Sequence, residues 1–300
     1  MSKLNLDNNS RFLFFSALFM SAFFRPLGAL VQMSMRSDTF SYIPFIPIIS
    51  AYLMYSDRQM IFSHKGSYSP AGLYLIGIGT MLLVFGSISE ARLIRQNHLT
   101  LMAVTMVLIW IGGFALCYGT RSLRSASFPL LFLFFMVPIP GVVLEKIVLF
   151  LQTGSTEAAY GFLQAAGVPV TRDGFVFHLV TSDIEVAKEC SGIRSSLSLV
   201  ITGTLAAVLF LRTGWARSLL MLSLVPIAII KNGFRIASLS ILGVYVDERI
   251  LDSDLHRKGG IVFFVLALVL VWMVIVLLRK GERRFALKKI EPRRRYGREE

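Results

Sequence analysis

Three reactive side chains stand far apart along this chain of 300 residues: a cysteine, an arginine and a histidine. Cys190 opens an apolar run, Arg235 lies late in another, and His256 stands just before a third. A simple membrane topology brings all three side chains to the same outer face. A thiol, a cation and a base at one membrane surface are the groups that acyl transfer through a thioester requires.

The composition indicates a membrane protein. The chain is 55% hydrophobic and 16% charged, with a mean hydropathy of +0.66, whereas about a quarter of the residues of a soluble domain are charged. The formal net charge is +13, and ten of the 31 basic residues lie in residues 279–300, directly after the last apolar run. A basic tail in that position predicts anionic lipid as its partner on the cytoplasmic side, and no nucleic-acid partner is expected.

Apolar runs of about 20 residues predict transmembrane helices. Eight can be drawn, at residues 12–31, 39–55, 71–89, 99–118, 127–150, 191–211, 218–246 and 260–279. Basic residues in alternate loops place both termini in the cytoplasm, apart from one outer loop that carries Arg92 and Arg95. The predicted fold class is therefore an all-α polytopic membrane protein with about eight transmembrane helices in the cytoplasmic (inner) membrane.

Two segments depart from this regular pattern. Pro138-Ile139-Pro140 breaks the fifth span, and apolar residues at helical spacing after it predict an amphipathic helix lying in the interface. An Arg-Asp-Gly turn at residues 172–174, flanked by β-branched and aromatic residues, predicts a small external hairpin before the sixth span. Because there is no internal repeat or low-complexity linker, we expect one domain at residues 1–280 and a basic cytoplasmic tail at residues 281–300.

Cys190 is expected at the outer end of the sixth span. A helix N-terminus favours thiolate over thiol. Glu189, Ser191 and Arg194 surround Cys190 with polar groups, which argues against a cysteine that only fills an apolar core. The second cysteine, Cys117, falls at the inner end of its own span, so no disulfide is expected.

Arg235 follows Arg217, the inner boundary of the seventh span, by 18 residues. At a rise of ~1.5 Å per residue the two lie about 27 Å apart along a helix, so Arg235 is expected near the outer boundary. Asn232 lies on the same helical face. A charge inside a span indicates function, and an arginine that only extends to the lipid headgroups is the alternative.

His256 precedes the eighth span on the outer side. A catalytic role for this histidine depends on its convergence with Cys190 and Arg235, and His178 in the hairpin is its competitor. The four histidines are scattered, and neither a CxxC nor an HExxH spacing occurs. We therefore expect no metal site and no cofactor.

The chain resembles the exosortase/archaeosortase family over residues 138 to about 260. The resemblance rests on the Pro-Ile-Pro break, Gly-Val-Pro-Val at 167–170, Ile-Glu-Val-Ala at 184–187, Glu-Cys-Ser-Gly-Ile at 189–193, Asn232, Arg235-Ile236 and His256. The cysteine motif is the specific part. The first four spans share only their hydrophobicity with the family, so the catalytic half is expected at residues 138–260.

The resemblance implies a membrane cysteine transpeptidase with its active site on the external, periplasmic side. Such an enzyme recognises exported proteins that end in a short motif, a transmembrane helix and a basic cluster, the PEP-CTERM type in bacteria, and it cleaves them through a thioester. The resemblance makes Cys190 the nucleophile, Arg235 the stabiliser of the oxyanion or thiolate, and His256 the acid and base. The acceptor nucleophile is left open. Supporting roles are expected for Glu189, Ser191, Arg194, Asn232 and His178.

Three other readings remain open at this point. Asp-Ser-Asp at residues 252–254, followed by His256, is compatible with a metal-dependent glycosyltransferase or lipid-modifying enzyme. The broken fifth span and the intramembrane Arg235 are compatible with a transporter, although no inverted repeat is evident. A serine protease that uses Ser195 or Ser196 is less favoured, because neither serine lies in a Gly-x-Ser-x-Gly context.

Overall fold

The computed structural model describes residues 7–63, 69–89, 94–180, 183–245 and 260–296, with side chains as far as Phe285. Contacts divide the chain into two compact units, Met1–Leu144 and Glu145–Glu300. The expectation of one domain at residues 1–280 with a separate tail stays a prediction.

The helices are numbered in chain order. They are α1 (Asn8–Ala22), α2 (Phe24–Arg36), α3 (Phe45–Ser56), α4 (Arg58–Phe62), α5 (Pro70–Ser89), α6 (Arg95–Ser125), α7 (Ser127–Phe132), α8 (Gly141–Ala165), α9 (Ile193–Phe210), α10 (Gly214–Tyr245) and α11 (Gly260–Tyr296). Short 3₁₀ helices lie at Asp38–Phe40, Leu133–Met136 and Lys188–Ser191, and the strands are β1 (Val170–Asp173), β2 (Val176–Leu179) and β3 (Asp183–Glu185). The mainly helical fold agrees with the predicted class.

The first predicted span is a bent pair of helices. α1 and α2 meet at Phe23 with an angle of 69°. Pro26 is the third residue of α2, where a missing backbone N–H costs nothing, but its ring would clash with the carbonyl of Ala22 in a continuous helix. The proline therefore ends α1 at Ala22 and starts a second helix.

The prediction of eight spans is not confirmed. Within the described residues, five helices are long and apolar enough to cross a membrane, or up to seven spans if the bent pairs α1–α2 and α7–α8 each count as one. The second predicted span, residues 39–55, contains only the 12-residue α3. That helix is about 18 Å long, shorter than a hydrocarbon core of about 30 Å. Pro44 and Pro47 bracket its first turn and prevent the helix from extending backwards.

Helices α5 and α6 pack closely in the first unit because α5 presents glycines to α6. Gly72, Gly79 and Gly86 are buried and recur every seven residues. A Cβ atom at Gly72 would lie 2.7 Å from the carbonyl oxygen of Gly112 on α6. In a membrane, where apolar surfaces gain little by associating, such small residues let two helices approach and pack.

The Pro-Ile-Pro break separates α7 and its following 3₁₀ turn from α8, as the sequence predicts. The carbonyls of Pro138 and Ile139 accept hydrogen bonds from the Thr100 hydroxyl (2.9 Å) and the Gln96 amide (2.7 Å) of α6. The Asn97 side chain accepts one from the first amide of α8 (3.1 Å). Three backbone groups at the break are thus paired with side chains of α6.

The predicted hairpin is present and carries a third strand that the sequence analysis missed. β1 and β2 pair antiparallel from Val170↔Leu179 to Asp173↔Val176, and β3 pairs with the other edge of β2. Phe177 is fully buried, in a cluster that includes Leu163 of α8 and Ile236 of α10. One face of the small sheet therefore packs onto the helices that carry the site.

Helices α9, α10 and α11 share an apolar core that includes Leu199, Leu220 and Val271. The Glu282 carboxylate of α11 accepts hydrogen bonds from the backbone amides of Arg212 (3.0 Å) and Thr213 (2.6 Å). Those amides lie just before α10, so Glu282 caps the N-terminus of α10 from another helix. α11 also continues through Tyr296, so the predicted basic tail begins inside a helix.

Candidate active site

Cys190 lies in the 3₁₀ turn Lys188–Ser191, just before α9. Its amide donates to the carbonyl of Ala187 (2.9 Å). Gly192 follows with φ +75°, a left-handed conformation that ends the turn, and α9 starts at Ile193. Cys190 is therefore two residues ahead of the N-cap of α9, in the turn that begins the candidate span Lys188–Phe210.

A small cavity of about 40 Å³ brings Cys190 and Arg235 together. It is lined by Ile184, Glu185, Val186, Cys190, Arg235, Ile236, Leu239 and Ser240. The strand β3 and the cysteine turn form one wall, and α10 forms the other. Because a buried water needs about 10–15 Å³, the cavity has room for a few waters but not for a peptide.

Arg235 is held by a helix that is continuous through the site. α10 runs unbroken for 32 residues, about 48 Å, so it exceeds a hydrocarbon thickness of about 30 Å. At Gly233 a Cβ atom would lie 2.5 Å from the Cβ of Ala158 on α8. This close approach fixes the rotation of α10 and with it the side of the helix that carries Arg235.

Asn232 connects α10 to the cysteine turn. Its amide nitrogen Nδ2 donates to the carbonyl oxygen of Cys190 at 2.8 Å. A Cβ atom at Gly192 would lie 2.7 Å from the Cγ and Oδ1 atoms of Asn232. The glycine is therefore required by its backbone conformation and by the space that Asn232 occupies.

Gln152 and Lys231 are polar residues near the site that the sequence analysis missed. Gln152 of α8 is 4% exposed and donates to the carbonyl of Val186 at 2.6 Å. Lys231 of α10 is 3% exposed, and its Nζ atom donates to the hydroxyl of Ser195. The sequence does contain a signal that could have identified both residues. Each places an amide or amine side chain within an apolar helix, where a buried polar group needs a hydrogen-bond partner.

The remaining expected residues of the cysteine motif have different environments. Glu189 and Arg194 are exposed. Ser191 is fully buried, and its hydroxyl makes no hydrogen bond to any residue that the structure describes.

Of the two candidate histidines, His178 lies in the described part of the chain. His178 lies on the exposed face of β2, opposite the Phe177 face, and its Nδ1 atom is 2.8 Å from a carboxylate oxygen of Asp183. The sheet thus directs His178 away from the cluster that contains Cys190. His256 lies outside the described residues, as does the Asp-Ser-Asp sequence at residues 252–254.

The site consists of a thiol and a guanidinium on two elements that converge at one cavity. An arginine offers a rigid fork of N–H donors, which suits a developing oxyanion better than a point charge does. A cysteine at such a position is suited to nucleophilic attack on a carbonyl carbon.

Comparison with known proteins identifies the family. Residues 33–273 match the family model described as transmembrane exosortase (Exosortase_EpsH). Neither the curated proteins nor the solved structures gave a match. The matched region covers most of the chain and includes Cys190, Arg235 and His256, so the chain belongs to the transmembrane exosortase family.

Proposed function

We propose that this protein is a membrane cysteine protease and transpeptidase that cleaves the C-terminal sorting signal of exported proteins through a thioester. Membership of the exosortase family supports a membrane transpeptidase or protease in general. The observation that carries the finer proposal is the cavity that Cys190 and Arg235 line together, although 45 residues separate them in the sequence.

In the acylation step, the Cys190 thiolate attacks the carbonyl carbon of the scissile peptide bond. A carbon–sulfur bond forms, and the carbonyl oxygen becomes an oxyanion to which the Arg235 guanidinium donates hydrogen bonds. The intermediate then collapses, and the carbon–nitrogen bond breaks. The leaving amine takes a proton from His256, a role that rests on the family resemblance.

In the second step, an acceptor nucleophile or water attacks the thioester. His256, now neutral, removes the proton of that nucleophile, and the Cys190 thiolate is released. The reaction is a transfer if an acceptor attacks the thioester first and a hydrolysis if water does. The chemistry of both steps needs no bound cofactor.

The substrate proposed for this site is an exported protein with a short C-terminal motif, a transmembrane helix and a basic cluster. A cavity of about 40 Å³ cannot enclose such a segment, so the substrate helix docks laterally and presents its motif to Cys190. We place the site on the periplasmic side of the inner membrane and both termini in the cytoplasm. The basic residues after the last apolar run then lie against anionic lipid.

The two cysteines offer a matched test of this function. Cys190→Ala removes the proposed nucleophile, whereas Cys117→Ala removes a thiol of the first unit. We expect Cys190→Ala to abolish processing of a co-expressed substrate and Cys117→Ala to leave it largely intact. Mass spectrometry of the wild-type enzyme should also detect an acyl adduct on Cys190 that neutral hydroxylamine removes. A Cys190→Ala enzyme that still cleaves at the wild-type rate refutes the proposal.

A further inference from the structure

Lys231 is an amine buried in a membrane-spanning helix beside the cysteine turn. It is 3% exposed, it is adjacent to Asn232, and it lies one helical turn before Arg235. Amines within spans are rare because their removal from water is costly, and those that occur indicate function. The hydrogen-bond partner of Lys231 among the described residues is the hydroxyl of Ser195 on α9.

Ser195 extends this contact toward Cys190. Its hydroxyl accepts from Lys231 and donates to the carbonyl oxygen of Gly192 at 3.0 Å. Gly192 is the left-handed residue that joins the cysteine turn to α9. A continuous chain of hydrogen bonds therefore runs from α10 through Ser195 to the end of the turn that carries Cys190.

A second contact from α10 lies directly beside the first. Asn232, the next residue after Lys231, donates to the carbonyl oxygen of Cys190. Two adjacent residues of α10 thus hold the cysteine segment at two points, at Cys190 itself and through Ser195. The same helix carries Arg235, so these contacts set the position of the thiol relative to the guanidinium.

We propose that Lys231 and Ser195 form a positioning pair for the Cys190 site. The pair holds the first turn of α9 against α10 and keeps Cys190 aligned with Arg235. This role rests on the proposed function of Cys190 as nucleophile. Lys231 acts through Ser195 and is not among the residues that line the cavity with Cys190 and Arg235, so it is a positioning residue and not a catalytic one.

The same pair could instead be a serine nucleophile with a lysine base. The position of Ser195 argues against this assignment, because Ser195 is not among the residues that line the cavity with Cys190 and Arg235.

The test uses the alkylation rate of Cys190, which needs no substrate. In a Cys117→Ala background Cys190 is the single thiol, since the chain has two cysteines. Ser195→Thr keeps the hydroxyl, and Ser195→Val has the same shape without it. We expect iodoacetamide to modify the threonine variant within about twofold of the parent. The valine variant should react about tenfold more slowly, because only the thiolate reacts and a Cys190 that moves away from the Arg235 guanidinium loses the positive charge that favours the thiolate.

Lys231→Met should slow alkylation of Cys190 to a similar extent, and the double variant with Ser195→Val should be no slower than either single variant. With substrate, the same changes should lower kcat and leave KM nearly unchanged, because they move the thiol and not the binding surface. If Lys231→Met does not accumulate in the membrane, the isosteric threonine and valine pair at position 195 decides the question.

Two results would overturn the proposal. Equal alkylation rates for Ser195→Thr and Ser195→Val would show that the hydroxyl does not position Cys190. Loss of cleavage by Ser195→Val, with alkylation of Cys190 unchanged, would instead make Ser195 the nucleophile. The two proposals can fail separately. If the parent protein cleaves no sorting signal but the valine variant is still alkylated slowly, the positioning pair is upheld and the proposed function is refuted.

Discussion

Replacing Gly192 by alanine tests whether the junction between the cysteine turn and α9 is as tightly specified as its geometry indicates. The left-handed φ of +75° costs an alanine about 1–2 kcal/mol. Its Cβ atom would also lie 2.7 Å from Asn232, which must move and give up its hydrogen bond to Cys190. Leaving a buried partner unsatisfied costs about 1–3 kcal/mol. Gly192→Ala should therefore destabilise the protein by about 2–5 kcal/mol.

Gly167→Ala is the matched control for backbone strain. Gly167 has a φ of +71°, but apart from its chain neighbours no atom of the described residues lies within 4 Å of the position of its Cβ. Its replacement should cost only the backbone term of about 1–2 kcal/mol, with cleavage close to that of the wild type. The measurements are the unfolding free energy in detergent and the rate of substrate cleavage in membranes with matched enzyme levels.

Gly192→Ala should also slow cleavage. A displacement of about 1 Å at a reacting group can cost about 10²-fold in rate, so Gly192→Ala should cleave about 10²-fold more slowly than Gly167→Ala. The double variant with Asn232→Ala removes the clash, and the two effects on stability should be non-additive by at least about 1 kcal/mol. Equal stability and equal cleavage for the two glycine variants would show that Asn232 does not determine the need for glycine.

Two further predictions concern the guanidinium and the topology. Arg235→Lys keeps the charge but loses the planar fork, and it should lower the cleavage rate by about 10²–10³-fold in a time course at matched membrane abundance; near-normal cleavage would make Arg235 an anchor to headgroups. A topology reporter fused after Glu300 should report cytoplasm, and one inserted near Asp173 should report the exterior, by alkaline phosphatase and fluorescent-protein activity. The opposite result at either position would remove Cys190 from the compartment that exported substrates reach.

The sequence predicts the main elements of the site because local chemistry specifies them. Helical rise alone places Arg235 far from the inner end of its span, and the three-residue spacing puts Asn232 on the same face. The Arg-Asp-Gly turn predicts the hairpin, since Gly174 supplies the positive φ that the turn requires. These features depend on a few neighbouring residues and not on the rest of the fold.

The features that the sequence does not reveal depend on tertiary contacts. β3 is three residues long and is a strand only because β2 offers an edge for it to pair with. Ser195 and Lys231 are 36 residues apart, and no spacing rule connects them before α9 and α10 are packed together. The short α3 differs from the predicted span for a local reason. Hydropathy counts apolar residues and predicts a long span, but two prolines determine where the helix can begin.

The Pro-Ile-Pro break has a consequence for how the chain enters the membrane during synthesis. The donors to its two carbonyls, Gln96 and Thr100, belong to α6, which precedes the break in the chain. When the prolines leave the ribosome, these side chains have already been inserted, because chains are synthesised and assemble from the N-terminus. Hydrogen-bond donors for these backbone carbonyls are therefore already present, and a carbonyl in hydrocarbon needs such a donor. These hydrogen bonds require no later helix, so they can form before Cys190 is synthesised.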